Sequence, residues 1–174
     1  MGEVLGLGVT HGPFIIYPAE ELPNLWRNSL ARPWVPSELQ DPKNWPAPLR
    51  AELGDDDGLK AAIQHRGRLV EGFRKAREAL DAFQPDVVVI WGDDQYENFK
   101  EDIIPPFCVL AYDEIDCQPF ALKDGGTKNN AWNEPGDKHF KFAGHRQGAR
   151  ALASGLINQG IDMAYAYKPL HQPG

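Results

Sequence analysis

The chain has 174 residues, 42% hydrophobic and 25% charged, with a formal net charge of −7. That composition suits a globular domain with a substantial core, and an acidic balance without a Lys/Arg cluster argues against a nucleic-acid surface. No apolar run approaches the ~20 residues of a membrane span, and two cysteines, Cys108 and Cys117, are too few for a disulfide framework.

The N-terminus lacks a basic region followed by an apolar one, so no signal peptide is expected and a cytoplasmic location follows. Residues 4–9 alternate apolar side chains with Gly6 and Gly8, which predicts a first buried strand whose glycines allow close backbone approach. His11 stands where that strand leaves the sheet. The Gly6-x-Gly8 pair lies inside the strand and is followed by His11 and Pro13, so it does not read as a dinucleotide loop. Residues 20–30 suit a short helix. Residues 31–48 carry Pro33, Pro36, Pro42, Pro46 and Pro48 with Trp34 and Trp45. Proline fixes φ and removes a donor, so the stretch predicts a loop pinned by tryptophans, or a lid or subunit contact.

Asp55, Asp56 and Asp57 precede the clearest helix, residues 58–83. Carboxylates suit a helix N-terminus, where N–H groups are free and the dipole favours negative charge; the spaced oxygen ligands of a calcium loop are absent. Leu59, Ala62, Ile63, Leu69, Val70, Phe73, Ala76, Leu80 and Phe83 recur at three- and four-residue spacing and form one apolar face. His65 borders that face. Residues 87–91, VVVIW, are a continuous apolar run that predicts a strand buried on both faces, as in a parallel sheet. Gly92 stops it, and Asp93, Asp94, Gln95, Tyr96, Glu97 and Asn98 follow at once. Ligands of open α/β sheets bind beyond the carboxyl ends of strands, so this cluster is a candidate site; the bland alternative is a solvated turn.

Residues 107–112 predict a third strand, with Cys108 as a buried thiol. Residues 113–143 read mostly as loop, and a stretch of that length is functional or hides short strands. Residues 144–159 predict a helix with Ala149, Leu152, Ala153, Leu156 and Ile157 on its apolar side and Gly160 closing it. His145 stands at its N-terminal end, a position that favours a neutral imidazole available as a base. Residues 161–167 predict a fourth strand, and His171 lies in the segment beyond. The expected architecture is a single α/β domain over residues 1–174. A mostly parallel central sheet is flanked by helices, with long Pro/Gly-rich loops, about 31–48 and 113–143, at the carboxyl ends of the strands.

His11, the cluster from Asp93 to Glu97, and His145 therefore stand at strand or helix ends, with His171 as a fourth candidate. Histidine and carboxylate ligands with open positions suit non-haem Fe(II) and oxygen chemistry. The chain resembles the class III extradiol ring-cleaving dioxygenases, the superfamily of the protocatechuate 4,5-dioxygenase β subunit. The matching segments are residues 5–11 (LGLGVTH), 85–99 (PDVVVIWGDDQYENF), 103–107 (IIPPF) and Gly144-His145 with the helix running to Ile161, Asp162 and Met163.

The resemblance implies Fe(II) at the carboxyl ends of the sheet with His11 as a ligand. It implies His145 as an acid/base residue, and a catecholic substrate and O2 meeting at the metal. Asp94, Tyr96 and His171 are the candidate substrate contacts. The position of the family's second histidine ligand is Gln95, a neutral amide and a poorer Fe(II) ligand than imidazole; Asp93, Asp94 and His65 are the substitutes at hand. The family's glutamate ligand corresponds to a strand beyond Gly174, so the chain reads as an incomplete catalytic domain. The expected partners are a small aromatic diol and O2, with a homo-oligomer or a second subunit left open, and neither nucleic acid nor membrane. Two alternatives stand beside the dioxygenase. One is a non-catalytic family member serving as a binding or subunit-interaction module. The other is a metal-dependent hydrolase using Asp93 and Asp94.

Overall fold

The structure is a computed structural model that describes residues 2–10, 12–93, 107–120 and 130–167. Its elements are α/β in kind, helices together with a small parallel sheet. The chain divides into two compact units, Met1–Pro85 with Lys128–Asn133, and Asp86–Thr127 with Glu134–Gly174.

The first unit is helical and is built on α4, Leu59–Phe83. The three- and four-residue periodicity holds. Leu59, Ala62, Leu69, Val70, Phe73, Ala76, Leu80 and Phe83 are half-buried, while Ile63 stays exposed. The helix starts where the sequence predicts, with one refinement. Of the three aspartates, Asp56 performs the capping: its carboxylate accepts from the Gly58 N–H at 3.2 Å and the Lys60 N–H at 2.9 Å. Asp57 instead pairs with Arg27 at 2.8 Å. The helix ends in a left-handed Gln84 whose N–H reaches the Leu80 carbonyl, and Pro85 follows, unable to continue the ladder.

Packed on α4 are α1, Leu22–Leu30, and α3, Ala47–Leu53, with 3₁₀ turns at Pro13–Ile16 and Ala19–Glu21. The Pro-rich stretch is less irregular than expected. It holds α2, Ser37–Gln40, and a 3₁₀ turn at Pro42–Asn44, and it leads into α3. Pro36 and Pro46 stand immediately before helices, and Pro42 and Pro48 lie in first turns. A missing N–H costs nothing where that N–H would have no partner, so these prolines start helices instead of preventing them. Trp45 is pinned, as predicted: its indole N–H donates to the Leu39 carbonyl at 2.7 Å, and its ring meets Trp26 edge-on at 5.5 Å. Trp34 remains exposed.

The second unit carries the strands. β1, Cys108–Leu110, pairs in parallel with β4, Ala164–Ala166, in the register Cys108 to Ala164 and Leu110 to Ala166. Between them the segment expected to be mostly loop contains an antiparallel pair, β2, Glu114–Cys117, and β3, Phe140–Ala143. Helix α5, Arg146–Asn158, packs against β1 and β4. It ends on Gly160 at φ +83°, with the Ile161 N–H bonded back to the Leu156 carbonyl, a Schellman-type stop that needs glycine. Among the described residues, Ala111, Tyr112, Phe120 and Ala153 of this unit are nine-tenths or more buried, as is Pro23 of the first unit.

Two predicted strands are not strands here. Residues 4–9 and 87–91 make no ladder among the described residues. Val4 is 94% exposed, and residues 87–91 range from 52% to 87%. A β-branched run encodes only a willingness to pair; burial of a central strand comes from neighbours on both sides. Trp91 does lie beside Phe107 at the entrance to β1, ring centroids 6.2 Å apart. Among the described residues no helix is long and apolar enough to cross a membrane.

Candidate functional site at the start of helix α5

Of the predicted site residues the structure describes His145 and, from the 93–97 cluster, Asp93; His11, Asp94, Gln95, Tyr96 and His171 lie outside the described residues. Asp93 is described and exposed at the end of the 87–91 run, and His65 is exposed on α4. Among the described residues no three His, Cys, Asp or Glu side chains come together to hold a metal ion. The structure therefore assembles no iron site from the residues it describes.

The geometry around His145 begins one residue earlier. β3 runs into Gly144, whose N–H donates to the Asp113 carbonyl at 2.8 Å. The backbones are so close that a β-carbon on Gly144 would lie 2.6 Å from the Tyr112 carbonyl carbon. His145 is then the N-cap of α5. Its backbone is non-helical, at φ −118° and ψ 68°, while its carbonyl already accepts from the Ala149 N–H. Its ring serves as the capping group: Nδ1 accepts from the Gly148 N–H at 2.8 Å. Imidazole takes the place that a serine or aspartate oxygen usually fills.

Arg146 fastens the same corner. Its guanidinium pairs with Asp113 at 2.7 Å and lies over the Tyr167 ring at 4.8 Å. Asp113, Gly144, His145, Arg146 and Arg150 line an open groove along the first turns of α5. The groove thus offers one imidazole, two guanidiniums and one carboxylate already paired, an arrangement fit to exchange a proton with a polar, anionic or phenolic ligand. The hydroxyl of Tyr112, the residue before Asp113, is buried without a hydrogen-bond partner among the described residues. Burial pushes the Tyr112 hydroxyl above its ordinary pKa, with the Cys108 thiol adding to the effect. Burial likewise raises Cys108, which favours its thiol form. The side chain is half-buried, less enclosed than the expected buried thiol.

A second polar cluster was not singled out in the sequence. Across β2 and β3, His139 Nδ1 donates to Asp116 at 2.8 Å, the Gln118 amide meets the same ring, and Lys141 reaches Asp116 at 3.5 Å. The partners are 23 residues apart, so only the register of the hairpin reveals them. The hydrogen bond from His139 holds the Asp116 carboxyl below its ordinary pKa, with the charges of His139 and Lys141 adding to it. A depressed folded-state value means that the contribution to stability is present above the unfolded value of about 3.9 and is lost as pH falls through the folded one. The melting temperatures of the chain and of Asp116→Asn should therefore differ at pH 6 and converge below about pH 4. A gap that persists into strong acid would mean that Asp116 acts through packing and not charge.

Several curated proteins similar to this chain carry nearly the same name. A 2,3-dihydroxyphenylpropionate/2,3-dihydroxicinnamic acid 1,2-dioxygenase of Rhodococcus globerulus is 35% identical over 122 residues, 68% of this chain and 31% of the relative. Its counterpart from Pseudomonas putida is 30% identical over 100 residues, 58% of this chain and 27% of the relative. That of Burkholderia vietnamiensis is 30% identical over 95 residues, 55% of this chain and 25% of the relative. The matched part of the chain thus spans about a quarter to a third of the length of these relatives. No family model matches the chain, and no solved structure does.

Proposed function

We propose that this chain is part of an extradiol-type ring-cleaving dioxygenase that opens a catecholic ring with Fe(II) and O2. The observation that carries this reading is the similarity to dioxygenases whose names specify a 2,3-dihydroxyphenyl substrate, at 30–35% identity. The groove that begins at His145 is compatible with it: an imidazole at a helix N-terminus, open to a ligand and anchored from behind.

In this reading His11 is an iron ligand, Gln95 occupies the position of a second, and Asp94, Tyr96 and His171 contact the substrate. Bound Fe(II) would supply a common centre for the diol and O2. His145 exchanges a proton with the substrate or with oxygen at the ring nitrogen that is not capping α5. Arg146, tied to Asp113 and Tyr167, keeps that corner in place. A carboxylate-bearing substituent of the kind named for the relatives would find the positive charge of Arg150 along the groove.

The second reading, a non-catalytic member that binds or associates, draws on one residue. Gln95 offers a neutral amide where imidazole would bind iron better. Anaerobic Fe(II) loading with metal analysis, followed by oxygen uptake on catechol and 3-(2,3-dihydroxyphenyl)propionate, separates the two. The first reading expects bound iron and uptake, and expects His11→Ala to lose the iron. Iron content unchanged in His11→Ala would move the metal elsewhere. Neither iron nor uptake would favour the second reading. Zinc or manganese retention without uptake would point to hydrolase chemistry instead.

A further inference from the structure

We infer that Gly148 is a positioning residue for His145: it locks the neutral imidazole in the tautomer that carries its proton on Nε2, so that the ring faces a ligand as a donor. Its bearing on chemistry rests on the acid/base role proposed for His145; the tautomer itself rests on geometry alone.

Three observations carry it. The Gly148 N–H donates to His145 Nδ1 at 2.8 Å, which requires a lone pair on Nδ1 and leaves the single proton of a neutral ring on Nε2. Nε2 has no partner among the described residues, and the ring lines the groove, so this nitrogen is the one left for a ligand. Finally, only glycine leaves room for the arrangement. A β-carbon at position 148 would lie 2.6 Å from His145 Nδ1, 3.0 Å from Cε1 and 3.3 Å from Cγ. Any other side chain at 148 displaces the ring that it is meant to hold.

The consequence reverses an expectation from the sequence. A histidine at a helix N-terminus reads as a neutral base. Here the nitrogen that could accept a proton is already occupied by the helix, and the exposed nitrogen carries one. His145 therefore acts first as an acid or hydrogen-bond donor. To act as a base it must take a proton on Nδ1 and release the cap.

The same unit contains the opposite case. His139 donates from Nδ1 to Asp116, so its neutral ring carries its proton on Nδ1. The two histidines should show opposite tautomers in one sample, which gives the test its internal control.

The test is a long-range proton–nitrogen correlation spectrum of the uniformly ¹⁵N-labelled full chain at about pH 9, well above the ordinary histidine pKa of ~6.5. The His145 signals are assigned by their loss in His145→Asn. The expected result is a pyridine-like shift for His145 Nδ1, a pyrrole-like shift for Nε2, and the reverse for His139. In Gly148→Ala the His145 shifts should move toward the tautomer average of a free imidazole. In Gly155→Ala, a glycine of the same helix with open space around it, they should not move. A pyrrole-like or averaged Nδ1 in the unaltered chain would overturn the inference, as would His145 shifts unchanged in Gly148→Ala. If Gly148→Ala fails to fold, the spectrum of the unaltered chain decides alone. None of these outcomes depends on oxygen uptake. A locked tautomer in a chain without uptake would count against the dioxygenase reading while sustaining this one.

Discussion

Under the proposed dioxygenase reading, His145→Asn should lower catechol-dependent oxygen uptake by ~10²–10⁴-fold, the usual loss for a removed acid/base group, with little change in unfolding free energy. Asparagine is among the best N-cap residues, so its side-chain oxygen can accept from the Gly148 N–H in place of Nδ1 while offering no titrating nitrogen. His145→Ala loses both functions, and should cost a further ~0.5–2 kcal/mol of stability because an N-terminal N–H of α5 goes unpaired. Comparing the two variants separates the chemical role from the structural one. Uptake retained in His145→Asn would remove His145 from the chemistry and leave it as a cap. Bound iron lost from His145→Asn, with the fold intact, would reassign it as a ligand.

Gly144→Ala is expected to destabilise the chain by ~1–3 kcal/mol or more, the range for forcing a group into occupied space, read as a fall in the urea midpoint. The neighbours of the added carbon are the Tyr112 carbonyl oxygen, which is nearest, and the carbonyl carbons of Tyr112 and Asp113, at 2.6 and 3.2 Å. These are backbone atoms held on one side by β1 and on the other by β2, so neither can swing aside as a flexible side chain would. Moving Gly144 away would also stretch its hydrogen bond to the Asp113 carbonyl, worth about 0.5–1.5 kcal/mol net. Gly155→Ala makes the contrast: the same change, in the last turn of α5, with nothing within 4 Å of the new carbon. There the reduced freedom of the unfolded chain should stabilise by about 0.5–1 kcal/mol. A neutral Gly144→Ala would mean that β3 and the 112–113 backbone lie farther apart than described here.

The local elements were the most legible in the sequence. Helix α4 follows from nine apolar positions at helical spacing, an aspartate before it and a proline after it. Each of those signals acts within a few residues, so no knowledge of the rest of the chain is needed. The same holds for α5 and its closing Gly160. The hidden strands β2 and β3 were less legible because each is only four residues long and β2 is half acidic; Asp116 and His139 find each other only through the register of the pair. The prolines of residues 31–48 were read by what they forbid. Their placement at helix starts shows what they permit.

The candidate site divides along the same line. The sequence alone determined that His145 begins a helix and that glycines flank it at 144 and 148. From residue types and order it also determined the resemblance to ring-cleaving dioxygenases. It could not say which nitrogen of His145 is committed, because that depends on where the Gly148 N–H points once the first turn has formed. It also could not say that Gly144 is there for the Tyr112 carbonyl, a neighbour 32 positions away in the chain. Residues 87–91 mark the boundary from the other side. Their β-branched side chains specify a strand, yet burial of a strand is a property of the sheet that receives it. Local chemistry decides which conformation a segment prefers; the tertiary structure decides which groups it meets, since those contacts are made by residues that are distant in sequence.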